Sequence, residues 1–437
     1  MPNSHLLERS LASVWHPCTQ MKRHESLPLI PINYGEGVWL VDFEGNRYMD
    51  AVSSWWVNLF GHCNPRINTA IIDQLGKLEH VMLAGFTHEP AVQLAERLIQ
   101  LAPQGLGHCF YASDGASATE IALKMSAHYW RNSGKEQKNQ FISLKNSYHG
   151  ETLGALSVTD VALFKDAYGP LVIQNVSVPS PDWREAETGE NAQSFALRCA
   201  EGLELHLQQH HQSVAAFIVE PLVQGAAGMA MYHPDYLKKA RELCDQYEVH
   251  LIADEIAVGM GRTGTMFACE QAGIVPDYLL LSKGITGGYL PLSVVMTTDI
   301  IYQAFYSDEV TRGFLHSHSY TGNPLACRAA LATLDIFNED DVLNVNQTKN
   351  LRFNVLLEPI RQHSKVRNFR NTGMIWAWEV DTPYIDFAQQ CFSLGLQLGI
   401  LLRPMGNTMY IMPPYILAEE EIIILIKQAI LILDKLT

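Results

Sequence analysis

The chain has 437 residues, 47% of them hydrophobic and 18% charged, which is the composition of an ordinary globular protein long enough for more than one domain. Its formal net charge is −15, and no basic cluster interrupts that balance. This excludes sequence-independent binding to nucleic-acid phosphates and attraction to an anionic membrane surface.

Residues 1–11 carry charged and polar side chains and no apolar run of the kind a secretory leader needs, so a cytoplasmic protein is expected. Residues 33–50 read as a small antiparallel ribbon, with a turn at Glu44-Gly45-Asn46. Next comes the pair Trp55-Trp56. Neighbours on a strand face opposite ways, so one ring is expected in the core and the other toward a pocket, where an aromatic face attracts cationic groups.

From about residue 70, short apolar runs at 108–112, 140–144, 215–219, 249–253 and 277–281 alternate with helical patterns such as 91–101 and 118–130. Such alternation predicts a mainly parallel sheet covered on both faces. The stretch 179–191 reads as a surface excursion, and the stretch near 338–341 as the start of a second, smaller domain drawn from both chain ends. The expected division is 1–69 and 336–437 for the small domain and 70–335 for the large one. Residues 422–433 are very apolar, but Lys427 and Gln428 interrupt them, so they read as a buried C-terminal helix rather than a membrane span. Eight cysteines (18, 63, 109, 199, 244, 269, 327, 391) are scattered without a CxxC pair and read as reduced thiols.

The apolar runs end in chemistry: Ser113-Asp114-Gly115, Tyr148-His149-Gly150 a few residues on, Glu220-Pro221, Asp254-Glu255 and Ser282-Lys283. In open α/β sheets ligands bind at the carboxyl ends of the strands, so five polar endings along one edge weigh more than any one of them. A lysine and an aspartate at two such ends suit pyridoxal phosphate. The lysine would form the Schiff base and the aspartate would hold the protonated pyridine nitrogen. Ile256 and Tyr148 would then pack the two ring faces. Ser113 to Ser117 precede a helical pattern in which Ser117 and Glu120 fit a capping box, and such a helix start binds phosphate well. Each feature alone has a plainer reading: a helix cap, a loop carboxylate, a solvated lysine, core aromatics.

Three other motifs stand out in the chain. Gly259-Met260-Gly261-Arg262-Thr263-Gly264 matches GxGxxG, but it does not leave a strand directly and its acidic pair precedes it, so it is read as a glycine-flexible loop lining the site. His316-Ser317-His318 has a metal-like spacing without a third ligand, and no metal is expected. Arg403, after an apolar run, could fork onto a substrate carboxylate, with a surface ion pair as the plainer alternative.

Taken together these segments resemble the class III (ω-amino acid) aminotransferases over nearly the whole chain. The resemblance rests on Leu251-Ile252-Ala253-Asp254-Glu255-Ile256 through Gly261-Arg262-Thr263-Gly264, Pro276-Asp277, Ser282-Lys283-Gly284 and Tyr320-Thr321-Gly322-Asn323-Pro324-Leu325-Ala326. Trp15-His16-Pro17, Ser53-Ser54-Trp55-Trp56, Val223-Gln224-Gly225 and Arg403-Pro404 with Met412-Pro413-Pro414-Tyr415 are similar to the branch that aminates 8-amino-7-oxononanoate in biotin synthesis.

The resemblance implies a type I pyridoxal-phosphate (aspartate aminotransferase-like) α/β fold and a homodimer with shared active sites. It implies Lys283, Asp254 and Tyr148 as catalytic residues. Asp114, Gly115, Ala116, Ile256, His318 and Ser319 would lie on the cofactor side, with Ser319 reaching a phosphate across the dimer interface. Trp55, Trp56, Tyr148, Ser317, Arg403 and Cys18 would lie on the substrate side. Cys18, Glu151 and Ser317-His318 depart from the pattern of members that use S-adenosylmethionine as amino donor. Ser317-His318 and Gly287-Gly288-Tyr289-Leu290-Pro291 resemble members that use lysine, whereas Trp55-Trp56 leans toward S-adenosylmethionine. A different class III enzyme, acting on ornithine, 4-aminobutyrate or a diamine, is the neighbouring alternative.

Overall fold

The computed structural model describes residues 2–27 and 29–437. The chain forms two compact units. One comprises Thr69–Gln347 with Arg370–Met374; the other combines residues up to Asn68 with Thr348–Phe369 and Ile375–Thr437.

The first unit is built on a seven-stranded sheet in the order Leu106–Ala112, Ser293–Thr298, Tyr278–Leu281, His250–Asp254, Val214–Val219, Gln140–Leu144, Val176–Val178. Five of these strands are the five expected from the apolar runs. The central ones are buried along their whole length, as continuous apolar runs in a doubly covered sheet must be. Ser293–Thr298 runs antiparallel to both its neighbours, which makes the sheet mixed. Its serine and threonines hide it from an apolar-run search. The helix Gly115–Asn132 covers one face and buries Ala118, Ile121, Ala122 and Met125 against Ile218, Ile252 and Leu280.

Two sequence expectations for this unit are corrected. The helix starts at Gly115 with Asp114 as its cap, not with a Ser117–Glu120 box: Asp114 Oδ1 accepts from Ser117 N at 2.9 Å. Glu120 is instead turned to Gly154, whose amide it accepts at 2.7 Å. The stretch 179–191 is only partly a surface excursion, because Ser180 and Asp182 are buried and Ser180 donates to Gln224.

The second unit carries a four-stranded sheet in the order Ile32–Glu36, Trp39–Asp42, Arg47–Asp50, Ile400–Leu401. The first three strands are the antiparallel ribbon, and the last joins in parallel, pairing Met49 with Ile400 and Asp50 with Leu401. Ile375–Val380 pairs antiparallel with Thr408–Ile411 around the buried Trp376 and Trp378. The C-terminal helix Glu419–Leu436 buries Ile422, Leu425, Ile426, Ala429, Ile432 and Leu433 and leaves Ile424 and Leu431 exposed, an amphipathic stripe rather than a uniform apolar rod. Among the described residues no helix is long and apolar enough to cross a membrane.

Trp55-Trp56 does not lie on a strand. Ser53, Ser54, Trp55 and Trp56 all take positive φ, between 46° and 72°, forming a left-handed turn. Each such residue costs about 1–2 kcal/mol when it carries a Cβ.

Candidate active site

The polar endings of the large sheet do gather at one edge. Asp254 pairs in register with Leu280 on the neighbouring strand, which places Lys283 three residues past that level. Asp254 is 4% exposed and does not stand alone: its Oδ2 lies 2.7 Å from Nδ1 of His149, and its Oδ1 accepts from Ile256 N at 3.1 Å. His149 is held by its backbone, donating to Thr159 Oγ1 at 3.0 Å and accepting from Thr119 Oγ1 at 2.9 Å. The carboxylate therefore selects the Nδ1–H tautomer. The other ring nitrogen, Nε2, is buried with no partner among the described residues.

Glu220, at the end of the adjacent strand, accepts from Tyr148 N and from Gly225 N, both at 2.9 Å. Burial pushes its carboxyl up to about 7, with the Asp254 charge adding to the rise and the two amides opposing it. Lys283 is half-buried. Desolvation lowers its pKa from the usual lysine value, while Asp254 and Glu220 pull it back. A lysine depressed in this way can hold a proton and release it.

Beside these groups stands a cradle for an anion. Both carboxylate oxygens of Asp114 are engaged by Ser117, and the Gly115 and Ala116 amides at the helix start have no partner among the described residues. Gly115 lies close against Ile256: a Cβ there would sit 3.0 Å from Ile256 Cγ2, so the isoleucine side chain would have to give by a few tenths of an ångström. Tyr148 donates its hydroxyl to Glu151 at 2.9 Å and meets Phe164 edge-on. His318 reaches Ser113, with Nδ1 3.1 Å from Oγ, and its Nε2 is 3.3 Å from that of His316. Ser317 and Ser319 are exposed. Among the described residues no group of three metal-ligating side chains forms.

The expected substrate residues of the second unit form their own group. The Arg403 guanidinium lies 4.2 Å from the Trp55 ring centre, and Trp55 is 44% exposed. Trp56 faces the core and donates to Tyr410 Oη at 3.2 Å. Cys18 and Arg403 line a cavity of about 430 Å³ together with Leu40, Tyr48 and Phe392.

The structure thus brings Lys283, Asp254, Tyr148 and Ile256 into one strand-end cluster and adds His149 and Glu220, to which sequence reasoning gave no role. Both stood in the quoted strand endings, and burial of a polar residue was the missing signal. The glycine loop is corrected: Arg262 is 1% exposed and its carbonyl accepts from Met374 N at 2.8 Å, so the segment is packed rather than flexible. The neighbouring Glu255 is also buried. It accepts from Ala268 N and Cys269 N, both at 2.7 Å, and burial pushes it up to about 7.

Comparison with known proteins gives a consistent result. The family profile described as aminotransferase class III matches residues 20–433. An adenosylmethionine-8-amino-7-oxononanoate aminotransferase of Helicobacter pylori is 48% identical over 98% of this chain and 97% of its own length. One from Geobacter sulfurreducens is 41% identical over 94% and 93%. The crystal structure of the Methanocaldococcus jannaschii enzyme of that name superposes with a TM-score of 0.92 at 36% identity, covering all of both chains. An ω-transaminase of Pseudomonas jessenii, solved in complex with PMP, gives 0.94 at 28% identity over 98% of each chain.

Proposed function

The chain belongs to the class III aminotransferases, and from that premise we propose that it aminates 8-amino-7-oxononanoate to 7,8-diaminononanoate in biotin synthesis. Pyridoxal 5'-phosphate is the cofactor of that family, and the residues present fit it. A buried carboxylate needs a cationic partner, which a pyridine N–H⁺ supplies, and the helix start at Gly115 offers amides to a phosphate. The buried Asp254–His149 pair beside Lys283 carries this reading. The substrate assignment draws support from the shared name of relatives 36–48% identical over 93% or more of this chain.

When bound, the cofactor supplies an electron-withdrawing ring that stabilises negative charge at the amine-bearing carbon. Lys283 would carry the cofactor, and its Nζ, with its lowered pKa, would take and return the proton at that carbon. Asp254 would face the ring nitrogen, and His149 keeps that carboxylate oriented. Glu220 fixes the backbone of Tyr148, whose ring packs one face, with Ile256 on the other. Gly115 and Ala116 hold the phosphate; Ser319 does so from a second copy of the chain in a homodimer, and His318 steadies Ser113 beside it. Arg403 forks onto the keto-acid carboxylate, with Trp55 stacked on its guanidinium. We also propose a cytoplasmic enzyme that takes its amine from S-adenosylmethionine.

The test is the visible spectrum of the purified protein during separate additions of S-adenosylmethionine and L-lysine, followed by 8-amino-7-oxononanoate with mass detection of the diamine. Bleaching by S-adenosylmethionine and formation of the diamine are expected. Bleaching by lysine alone would move the donor to lysine and give Ser317-His318 a part in that choice. Turnover only with ornithine, 4-aminobutyrate or another diamine would overturn the substrate assignment.

A further inference from the structure

The left-handed turn at Ser53–Trp56 needs a holder. Four successive residues with side chains and φ between 46° and 72° do not form a conformation that a chain keeps unaided. The holder is Asp50. Its Oδ1 accepts from Ser54 N at 2.9 Å and from Val52 N at 3.3 Å, and its Oδ2 accepts from Ser54 Oγ at 2.7 Å. The same Oδ2 lies 3.1 Å from His62 Nε2. The side-chain amide of Asn58 sits 3.1 Å from His62 Nδ1, which makes Nδ1 the acceptor and leaves Nε2–H to donate to Asp50. Asn58 is in turn tied to the turn by its own N–H on Ser53 O at 3.0 Å. Asp50 is fully buried. Burial works against its charge, yet the hydrogen bonds from His62 and Ser54 outweigh it and hold the carboxyl below its usual range.

The turn has a clear product. It sends Trp56 inward to Tyr410 and Trp55 outward beneath Arg403. Asp50 is also the residue whose strand position pairs with Leu401, two residues before Arg403. One carboxylate therefore lies at the root of both arms, the turn that carries the ring and the strand that delivers the guanidinium.

We propose that Asp50 and His62 are positioning residues for the acceptor substrate: the buried pair locks the left-handed turn so that the Trp55 ring holds the Arg403 guanidinium ready for a carboxylate. The inference rests on the reading of Arg403 and Trp55 as substrate residues. It adds two groups that need not touch substrate or cofactor, and whose removal acts through the turn.

The test uses the holoenzyme and His62→Ala, with Ser54→Ala as a milder second variant that removes only the hydroxyl bond to Asp50. KM for 8-amino-7-oxononanoate is expected to rise roughly tenfold in His62→Ala, the scale of one hydrogen bond to a charged group. Cofactor content should stay within about twofold, since the turn is not among the residues that would hold the cofactor. Adding Ser54→Gly to His62→Ala should lower KM again, because glycine holds positive φ without a clamp. An unchanged KM in both single variants, a parallel loss of cofactor, or a loss that glycine does not repair would each overturn the proposal. A crystal structure of His62→Ala separates this from the substrate assignment. Trp55 displaced from Arg403 supports the positioning role even if 8-amino-7-oxononanoate is not the acceptor. An unmoved turn and ring overturns it even if 8-amino-7-oxononanoate is.

Discussion

His149 and Asp254 stand 105 positions apart in the chain and meet at 2.7 Å, with both side chains buried. A buried carboxylate that receives one short hydrogen bond is fixed in orientation. The first prediction follows from this contact. His149→Ala removes the donor and leaves Asp254 with the Ile256 amide alone, at 3.1 Å. The dissociation constant of pyridoxal phosphate from the apoprotein should rise about 10- to 100-fold, the worth of a hydrogen bond to a charged group. A spectrophotometric titration measures it, and an unchanged constant would remove His149 from the site.

Lys283→Ala should abolish the visible absorbance of the protein as purified and lower turnover by at least about a thousandfold, within the range that a positioned proton-transfer group supplies. Far-ultraviolet circular dichroism should be unaltered. Turnover near that of the parent chain would sink the assignment of Lys283.

Glu255→Gln tests the raised carboxyl behind the strand end. The folded-state pKa of about 7 lies above the ordinary value of 4.5, so the folded protein binds the proton more tightly than the unfolded chain. The stability linked to this group is fully present below pH 4.5 and is lost as pH rises through about 7. The glutamine variant lacks that proton. Its Tm should therefore fall less than the parent's between pH 5 and 8, a difference that thermal melts across the range would register. Parallel Tm curves would show that Glu255 titrates normally.

Arg403→Ala should raise KM for the keto acid roughly 10- to 100-fold. Arg403→Lys should recover little, because an ammonium neither forks onto a carboxylate nor stacks flat on Trp55. Stopped-flow measurement of the acceptor half-reaction reads the effect, and an unchanged rate and KM there would place Arg403 outside the acceptor site.

Much of the large sheet was legible because its strands are uninterrupted apolar runs with polar endings. Val214–Val219 is the clearest, six buried residues in succession before Glu220. Ser293–Thr298 was not legible, since an antiparallel strand rich in hydroxyls has no such signature. Lys283 and Asp254 could be singled out because a lysine and a carboxylate at strand ends have a shared chemistry. His149 could not, because its part depends on a contact made across the sheet edge, and a histidine next to a tyrosine is an ordinary thing in a sequence. The turn at Ser53–Trp56 lay further out of reach. No glycine marks its positive φ, and the residues that hold it, Asp50 and His62, take their meaning only from where the chain puts them.

The parallel pairing of Asp50 with Leu401 has a consequence for how this protein is made. The ribbon that ends in Asp50 leaves the ribosome well before the strand that completes its sheet, which lies about 350 residues further on. At about 5–20 residues per second the nascent chain waits roughly 20–70 s with that edge open. The strand edge beside Met49 and Asp50 must therefore stay unpaired until Ile400 and Leu401 have emerged, an open edge of the kind that invites pairing with another chain.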